Sequence, residues 1–220
     1  MRKAFGDWFE NLELVEADLL DADSISRAVV GSTYVVHTAS PVVFNPKTDD
    51  DVIKPAVDGT LAVMKACTAS GVKRVVVTSS MAAVVAMAAT DKPDVATGFY
   101  DETCWSNPDR PEGLGVYHRS KTLAEKLAWD YVRDTDKNLE LVTIQPTLVL
   151  GPALIPGGFP SAQSVLNYFN PDRTEVPVGH IGMVDVRDVS KIHLESIRRP
   201  DAAGNRFIAY SERAVYHETA

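Results

Sequence analysis

Cysteine is scarce in this chain: Cys67 and Cys104 are the only two in 220 residues. Two thiols make no disulfide framework, and neither has a partner at metal-ligand spacing. Free thiols in a reducing compartment are the expectation. Glycine is sparse at the start, Gly6 being the only one before Gly31. Residues 1–30 therefore hold no Gly-rich turn to cradle a diphosphate at a helix N-terminus. No apolar run is long enough to span a bilayer as a helix, and residues 1–16 carry charge but no apolar core of a signal peptide. The expectation is a cytoplasmic protein without a membrane partner. Basic residues are outnumbered, 22 Lys and Arg against 30 Asp and Glu, for a net charge of -8. Such a surface repels phosphate backbones and speaks against nucleic acid as a partner. There is no internal repeat and no low-complexity tract.

What is present is a core and an alternation. Apolar residues make up 45% of the chain, too many for disorder. Leu12–Ala17, Thr33–His37, Val72–Thr78 and Glu140–Gln145 read as strands. Asp21–Val30 reads as a helix with Ser24 as its N-cap. Thr48–Ser70 has helical apolar spacing through Val52, Ile53, Ala56, Val57, Leu61, Met64 and Cys67, with Gly71 as the stop. Tyr117–Asp134 reads as a long helix, and residues 88–115 as a loop. Beyond Pro146 the pattern is weaker. Residues 151–160 hold three Gly and three Pro and read as a loop, Ser161–Asn170 as a short helix, Val186–Arg198 as a helix and Asn205–Tyr210 as a strand. Strands alternating with helices predict an α/β fold with a doubly wound parallel sheet covered on both faces.

Tyr117 and Lys121, four residues apart, share one face of the third long helix. A free tyrosine ionises near pH 10; a neighbouring ammonium favours the phenolate and makes the phenol fit for proton transfer. By itself Y-x-x-x-K is a common surface pair. Here the strand Val72–Thr78 ends in Ser79-Ser80, where open α/β sheets place ligands. A hydroxyl there can hold a carbonyl oxygen as charge develops on it, although a serine at a strand end equally serves as a helix cap. His37 reads as a strand-end residue rather than a metal ligand.

These residues stand among several motifs in order. The sequences VEADL (15–19), VHTASP (36–41), VKRVVVTSS (72–80), DETCW (101–105), YHRSK (117–121), IQPTLVLGP (144–152) and VDVRDV (184–189) resemble the extended short-chain dehydrogenases. The resemblance is to the group that holds dihydroflavonol reductases, cinnamoyl-CoA reductases and 3β-hydroxysteroid dehydrogenases. It implies a Rossmann-like fold and an oxidoreductase that transfers a hydride between NADP(H), or else NAD(H), and a small carbonyl or alcohol substrate. It implies Ser80, Tyr117 and Lys121 as the catalytic residues. It implies cofactor contacts from Asp18, Leu19, His37, Thr38, Ala39, Ser79, Tyr117, Lys121, Pro146, Thr147, Leu148 and Val149. Residues 1–150 would form a partial dinucleotide-binding domain, and residues 151–220 a partial substrate lobe with a returning helix and strand. The protein would be a monomer or a homodimer.

Two other classes share these features: a sugar-nucleotide epimerase or dehydratase, and a truncated, non-catalytic relative. The family opens with a strand, a G-x-x-G-x-x-G turn and a helix, and this sequence has none of these glycines. In a sheet ordered 3-2-1-4-5-6, Leu12–Ala17 would be strand 3 and Thr33–His37 strand 4. The first would then lack neighbours and the second would expose apolar side chains at an edge. The expectation is an N-terminally truncated form of the fold.

Overall fold

The computed structural model describes residues 2–40, 46–85, 96, 98–109, 115–155, 157, 159–167 and 180–215. Pro41, residues 168–170 of the expected short helix, and residues 88–95, 97 and 110–114 of the expected loop lie outside them. The chain forms two units.

The larger unit comprises Glu16–Gln145 and Ile192–Ile208. Its sheet is built from β1 (Tyr34–His37), β2 (Arg74–Thr78), β3 (Glu140–Pro146) and β6 (Arg206–Ala209), in that spatial order. β1 pairs parallel with β2, Val35 opposite Val75, and β2 parallel with β3, Val75 opposite Leu141. Three helices complete the layer: α2 (Ala22–Val29), α3 (Asp50–Ala69) and α4 (Val116–Asp134). Their apolar stripes meet the odd-numbered side chains of the sheet. Ile25, Val29, Val63, Met64 and Cys67 from α2 and α3 pack with Val75, Val77, Leu141 and Ala128 in one core. Each such side chain contributes about 1.5–3 kcal/mol when fully buried.

The even-numbered side chains of β2 face the other way. Arg74 is almost fully buried. Its guanidinium donates to the carbonyls of Ser196, Ile197 and Arg199 at 2.6, 3.2 and 2.7 Å and pairs with Glu140 at 2.7 Å. It thereby closes the C-terminal end of α6 (Val186–Arg198), whose last carbonyls have no partner within the helix.

The smaller unit comprises Met1–Val15, Pro146–Lys191 and Ala209–Ala220. Its sheet is β4 (Leu148–Leu150), β5 (His180–Asp185) and β7 (Glu212–Val215), with β4 parallel and β7 antiparallel to β5. It also holds α1 (Arg2–Phe5) and α5 (Pro160–Leu166). Gly182 lies in tight packing: a Cβ there would meet Thr147 Cγ2 at 2.9 Å and Tyr210 Cδ2 at 3.0 Å.

Two local expectations change. Leu12–Ala17 is not a strand. It joins no sheet, and Leu12, Leu14 and Val15 are exposed. A strand exists only as part of a ladder, and no described strand pairs with this segment. The N-cap of α2 is Asp21, not Ser24: the Asp21 carboxylate accepts from the N–H groups of Asp23 and Ser24 at 3.1 and 3.2 Å. Ser24 lies one turn inside, where its hydroxyl donates to the Asp21 carbonyl at 2.7 Å. The edge position foreseen for residues 33–37 is what the structure has. β1 is the outermost strand of its sheet, and Tyr34 and Val36 are exposed.

Candidate active site

The end of β2 carries the first part of the site. Its ladder continues one residue past the strand, the Ser79 N–H donating to the Ile144 carbonyl at 2.7 Å. Alternation then decides where each hydroxyl goes. Thr78 Oγ1 lies 2.7 Å from His193 Nε2 on the α6 side. Ser79, facing the opposite way, is buried and donates to Glu125 Oε2 on α4. Ser80 is extended (φ -161, ψ 153) and caps a single 3-10 turn, Met81–Ala83, by accepting the Ala82 N–H at 3.1 Å. That bond uses a lone pair of the Ser80 oxygen and leaves its proton to donate.

The second part is α4. Tyr117 lies in its first turn and is half exposed. Lys121 follows one turn later, with Nζ 5.7 Å from the Tyr117 ring centroid. Burial pushes the Lys121 ammonium down from 10.5 to about 8. Among the described residues no carboxylate or carbonyl pairs with it. The His118 ring stands edge-on to Tyr117, centroids 6.1 Å apart, and its pKa is lowered by burial.

Lys121 opens onto a cleft lined by His37 at the end of β1 and Ser40 beyond it, Thr78 and Ser79 at the end of β2, and Glu125 on α4. His37 is driven down to about 4, first by burial and then by the Lys121 charge. It is therefore neutral near pH 7. Ala39 lines the same cleft, and also a neighbouring groove beside β1 with Leu19 and His37. Tyr117 and Ser80 stand outside the lining, Tyr117 through its ring contact with Lys121 and Ser80 as the neighbour of Ser79. α4 packs against the turn that Ser80 caps.

The remaining sequence candidates are dispersed. The Asp18 carboxylate accepts the Leu20 N–H at 2.9 Å, and Thr38 is exposed. Pro146, Thr147, Leu148 and Val149 belong to the smaller unit, where Thr147 donates twice to the Ala209 carbonyl, from N at 3.0 Å and Oγ1 at 3.1 Å.

Sequence reasoning passed over Glu125. It is 1% exposed, and its carboxylate accepts from Ser79, Thr143, Gln145 and Arg206. The one available signal was its place four residues beyond Lys121, on the face that Tyr117 and Lys121 already define.

The structure thus sets a Tyr-Lys pair on α4, and α4 packs against the turn at the tip of β2 that Ser80 caps. Comparison with known proteins gives the family. Residues 6–156 match the model of the 3-beta hydroxysteroid dehydrogenase/isomerase family, and the chain belongs to that family. It is 36% identical over 211 residues to cinnamoyl-CoA reductase CAD2 of Medicago truncatula, covering 94% of this chain and 62% of that protein. It is 36% identical over 216 residues to dihydroflavonol 4-reductase of Dianthus caryophyllus, covering 96% of this chain and 58% of that one. The chain thus spans roughly 60% of the length of these curated relatives. The crystal structure of the yeast methylglyoxal/isovaleraldehyde reductase Gre2 complexed with NADPH superposes with a TM-score of 0.80 at 27% identity, covering 96% of this chain and 68% of that one. Vestitone reductase from alfalfa (Medicago sativa) gives 0.76 at 30% identity, covering 96% and 64%. The fold is the Rossmann fold of this family.

Proposed function

We propose that this protein is an NADP(H)-dependent reductase that interconverts a small carbonyl compound and its alcohol, with Tyr117, Lys121 and Ser80 at the reacting centre. The observation that carries the reading is Lys121: a half-buried ammonium beside the Tyr117 ring, at the end of a parallel sheet, with no carboxylate or carbonyl partner among the described residues. A desolvated cation without a counter-ion is costly unless a ligand completes it. Its free N–H donors suit the hydroxyls of a nicotinamide ribose, and Tyr117 stands next to it.

The residues fit one end of the cofactor and not the other. Lys121, Ser79, His37, Thr38 and Ala39 would hold the nicotinamide ribose, with Asp18 and Leu19 towards adenine. Pro146, Thr147, Leu148 and Val149 would serve the nicotinamide ring. No Gly-rich turn of this sequence offers backbone N–H groups to the diphosphate. When bound, the cofactor supplies the hydride that reaches the carbonyl carbon. Ser80 donates its free hydroxyl proton as a hydrogen bond to the carbonyl oxygen. Tyr117 passes its own proton to that oxygen, and the Lys121 charge stabilises the phenolate left behind.

The named relatives support a phenylpropanoid, flavonoid or other small carbonyl substrate. The same reading holds the protein to be cytoplasmic, a monomer or homodimer, with no nucleic acid or membrane partner. Among the described residues no helix is long and apolar enough to cross a membrane. The test is stoichiometric oxidation of NADPH, followed at its absorbance band, against a panel of cinnamoyl, dihydroflavonol and aliphatic aldehyde or ketone substrates. Tyr117→Phe lowers turnover by about 10²-fold or more, the usual worth of a lost proton donor. An epimerase would convert sugar nucleotides with no net NADPH oxidation. Full activity in the Tyr117→Phe protein would end the reading.

A further inference from the structure

We propose that Glu125 is the positioning residue of this centre: its carboxylate fixes the end of β2, and with it Ser80, against the helix that carries Tyr117 and Lys121. The inference rests on the reductase reading for its catalytic half. Its mechanical half stands on geometry alone.

The two carboxylate oxygens divide the work. Oε1 accepts from Thr143 Oγ1 at 2.8 Å and Gln145 Nε2 at 2.7 Å on β3, from Arg206 Nε at 2.8 Å on β6, and from Trp129 Nε1 at 3.4 Å one turn along α4. Among the described residues Oε2 takes a single partner, the Ser79 hydroxyl. Glu125 thus ties α4 to the sheet with one oxygen and to the tip of β2 with the other. A buried ion pair is a poor device for stability, since apolar replacements of similar shape are often as stable. What it does well is direct several donors towards one point.

A second route reaches the same turn. Arg206, paired with Glu125, also donates to the carbonyls of Glu102 and Cys104, both at 2.6 Å, and its guanidinium stacks on Trp105 at 3.7 Å. The next residue, Ser106, donates its hydroxyl to the Ala82 carbonyl at 2.8 Å and its N–H to the Ala83 carbonyl at 2.9 Å. The turn that Ser80 caps is therefore held from both sides, by Ser79 directly and by the Arg206–Ser106 clasp, and both routes start at one carboxylate.

Because Ser79 binds Oε2 and Arg206 binds Oε1, Ser79→Ala cuts one route and leaves the ion pair with Arg206 intact. Two readouts apply: backbone amide exchange at Ala82, Ala83 and Val84, and the separate kcat and KM of NADPH oxidation. The melting temperature of Ser79→Ala stays within a few degrees of the parent. Exchange at the three amides accelerates about tenfold as the turn opens locally. The kcat falls by about ten- to a hundredfold, as expected for a displaced reacting group, and this fall exceeds any rise in the KM for NADPH, whose cleft Ser79 also lines. Ser79→Thr, which keeps the hydroxyl, restores both readouts. Glu125→Gln repeats the pattern more strongly, and if it fails to fold the Ser79 pair decides alone. Unchanged exchange in Ser79→Ala, a Thr variant no better than the Ala variant, or a loss confined to the NADPH KM overturns the proposal. A parent protein that never oxidises NADPH sinks the reductase reading instead, and amide exchange still decides whether Glu125 holds the turn.

Discussion

Two titratable side chains in one cleft give the site its pH behaviour. Lys121 is lowered to about 8 and His37 to about 4, both chiefly by burial. For His37 the folded value lies below the unfolded one near 6.5. The unfolded chain therefore binds more protons between pH 6.5 and 4, and stability falls as pH drops through that window. The full shift corresponds to about 3 kcal/mol. We expect the His37 ring to titrate by NMR near pH 4, and His37→Asn to flatten the acid limb of the stability curve between pH 6.5 and 4. A His37 midpoint near 6.5 would contradict its burial. For Lys121 the folded value again lies below the unfolded one, so the cost of burying its charge is present in full below pH 8 and relieved as pH rises towards 10.5. The pair Tyr117 and Lys121 could be proposed from sequence because its spacing is local, and Ser80 because a strand end is local. It did not reveal Glu125 or Arg206. α4 carries Lys121, Glu125, Lys126, Asp130 and Arg133, and which of these charges is buried depends on where the sheet lies, which no spacing within the helix records.

Elements with their own start and stop signals were the readable ones. α3 ends as its glycine foretells: Gly71, at φ +67, donates its N–H to the Thr68 carbonyl at 3.2 Å, and Val72 donates to the Cys67 carbonyl at 2.9 Å. This is the paired closure of a Schellman motif. Gly71→Ala forces a side chain into the left-handed region, and we expect a loss of about 1 kcal/mol in denaturant unfolding with the activity of surviving molecules unchanged. Arg74 was unreadable for the opposite reason, since its carbonyl partners lie more than a hundred positions away and Glu140 lies 66 away. Arg74→Met should cost about 2–4 kcal/mol, because the carbonyls closing α6 lose their donor in a buried setting. A loss below about 1 kcal/mol would show that water replaces it. The short strands β4, β5 and β7 escaped the reading because three to six residues carry too little periodicity, and their pairing unites segments far apart in the chain. Leu12–Ala17 failed in the other direction. It has the composition of a strand without a ladder to join.

At the scale of the molecule, the outermost strand of the larger sheet governs behaviour in solution. Among the described residues β1 has a parallel neighbour on one side only, with Tyr34 and Val36 exposed, and Leu20 and Val30 nearby in sequence are 73% and 72% exposed. An uncovered edge flanked by apolar side chains is a template for pairing with another chain. The charge of -8 opposes such pairing at neutral pH, but that repulsion vanishes near the pI of about 5.1. Light scattering should therefore detect self-association at the lowest protein concentration close to pH 5, and at higher concentration as pH rises to 8. Val36→Lys places a charge on an exposed position of β1. It should raise the onset concentration several-fold at pH 7 and leave the melting free energy within about 0.5 kcal/mol, as for other surface changes. If Val36→Lys associates as readily as the parent at every pH, β1 is not the surface through which copies meet, and the apolar side chains of residues 12–15 become the next to test.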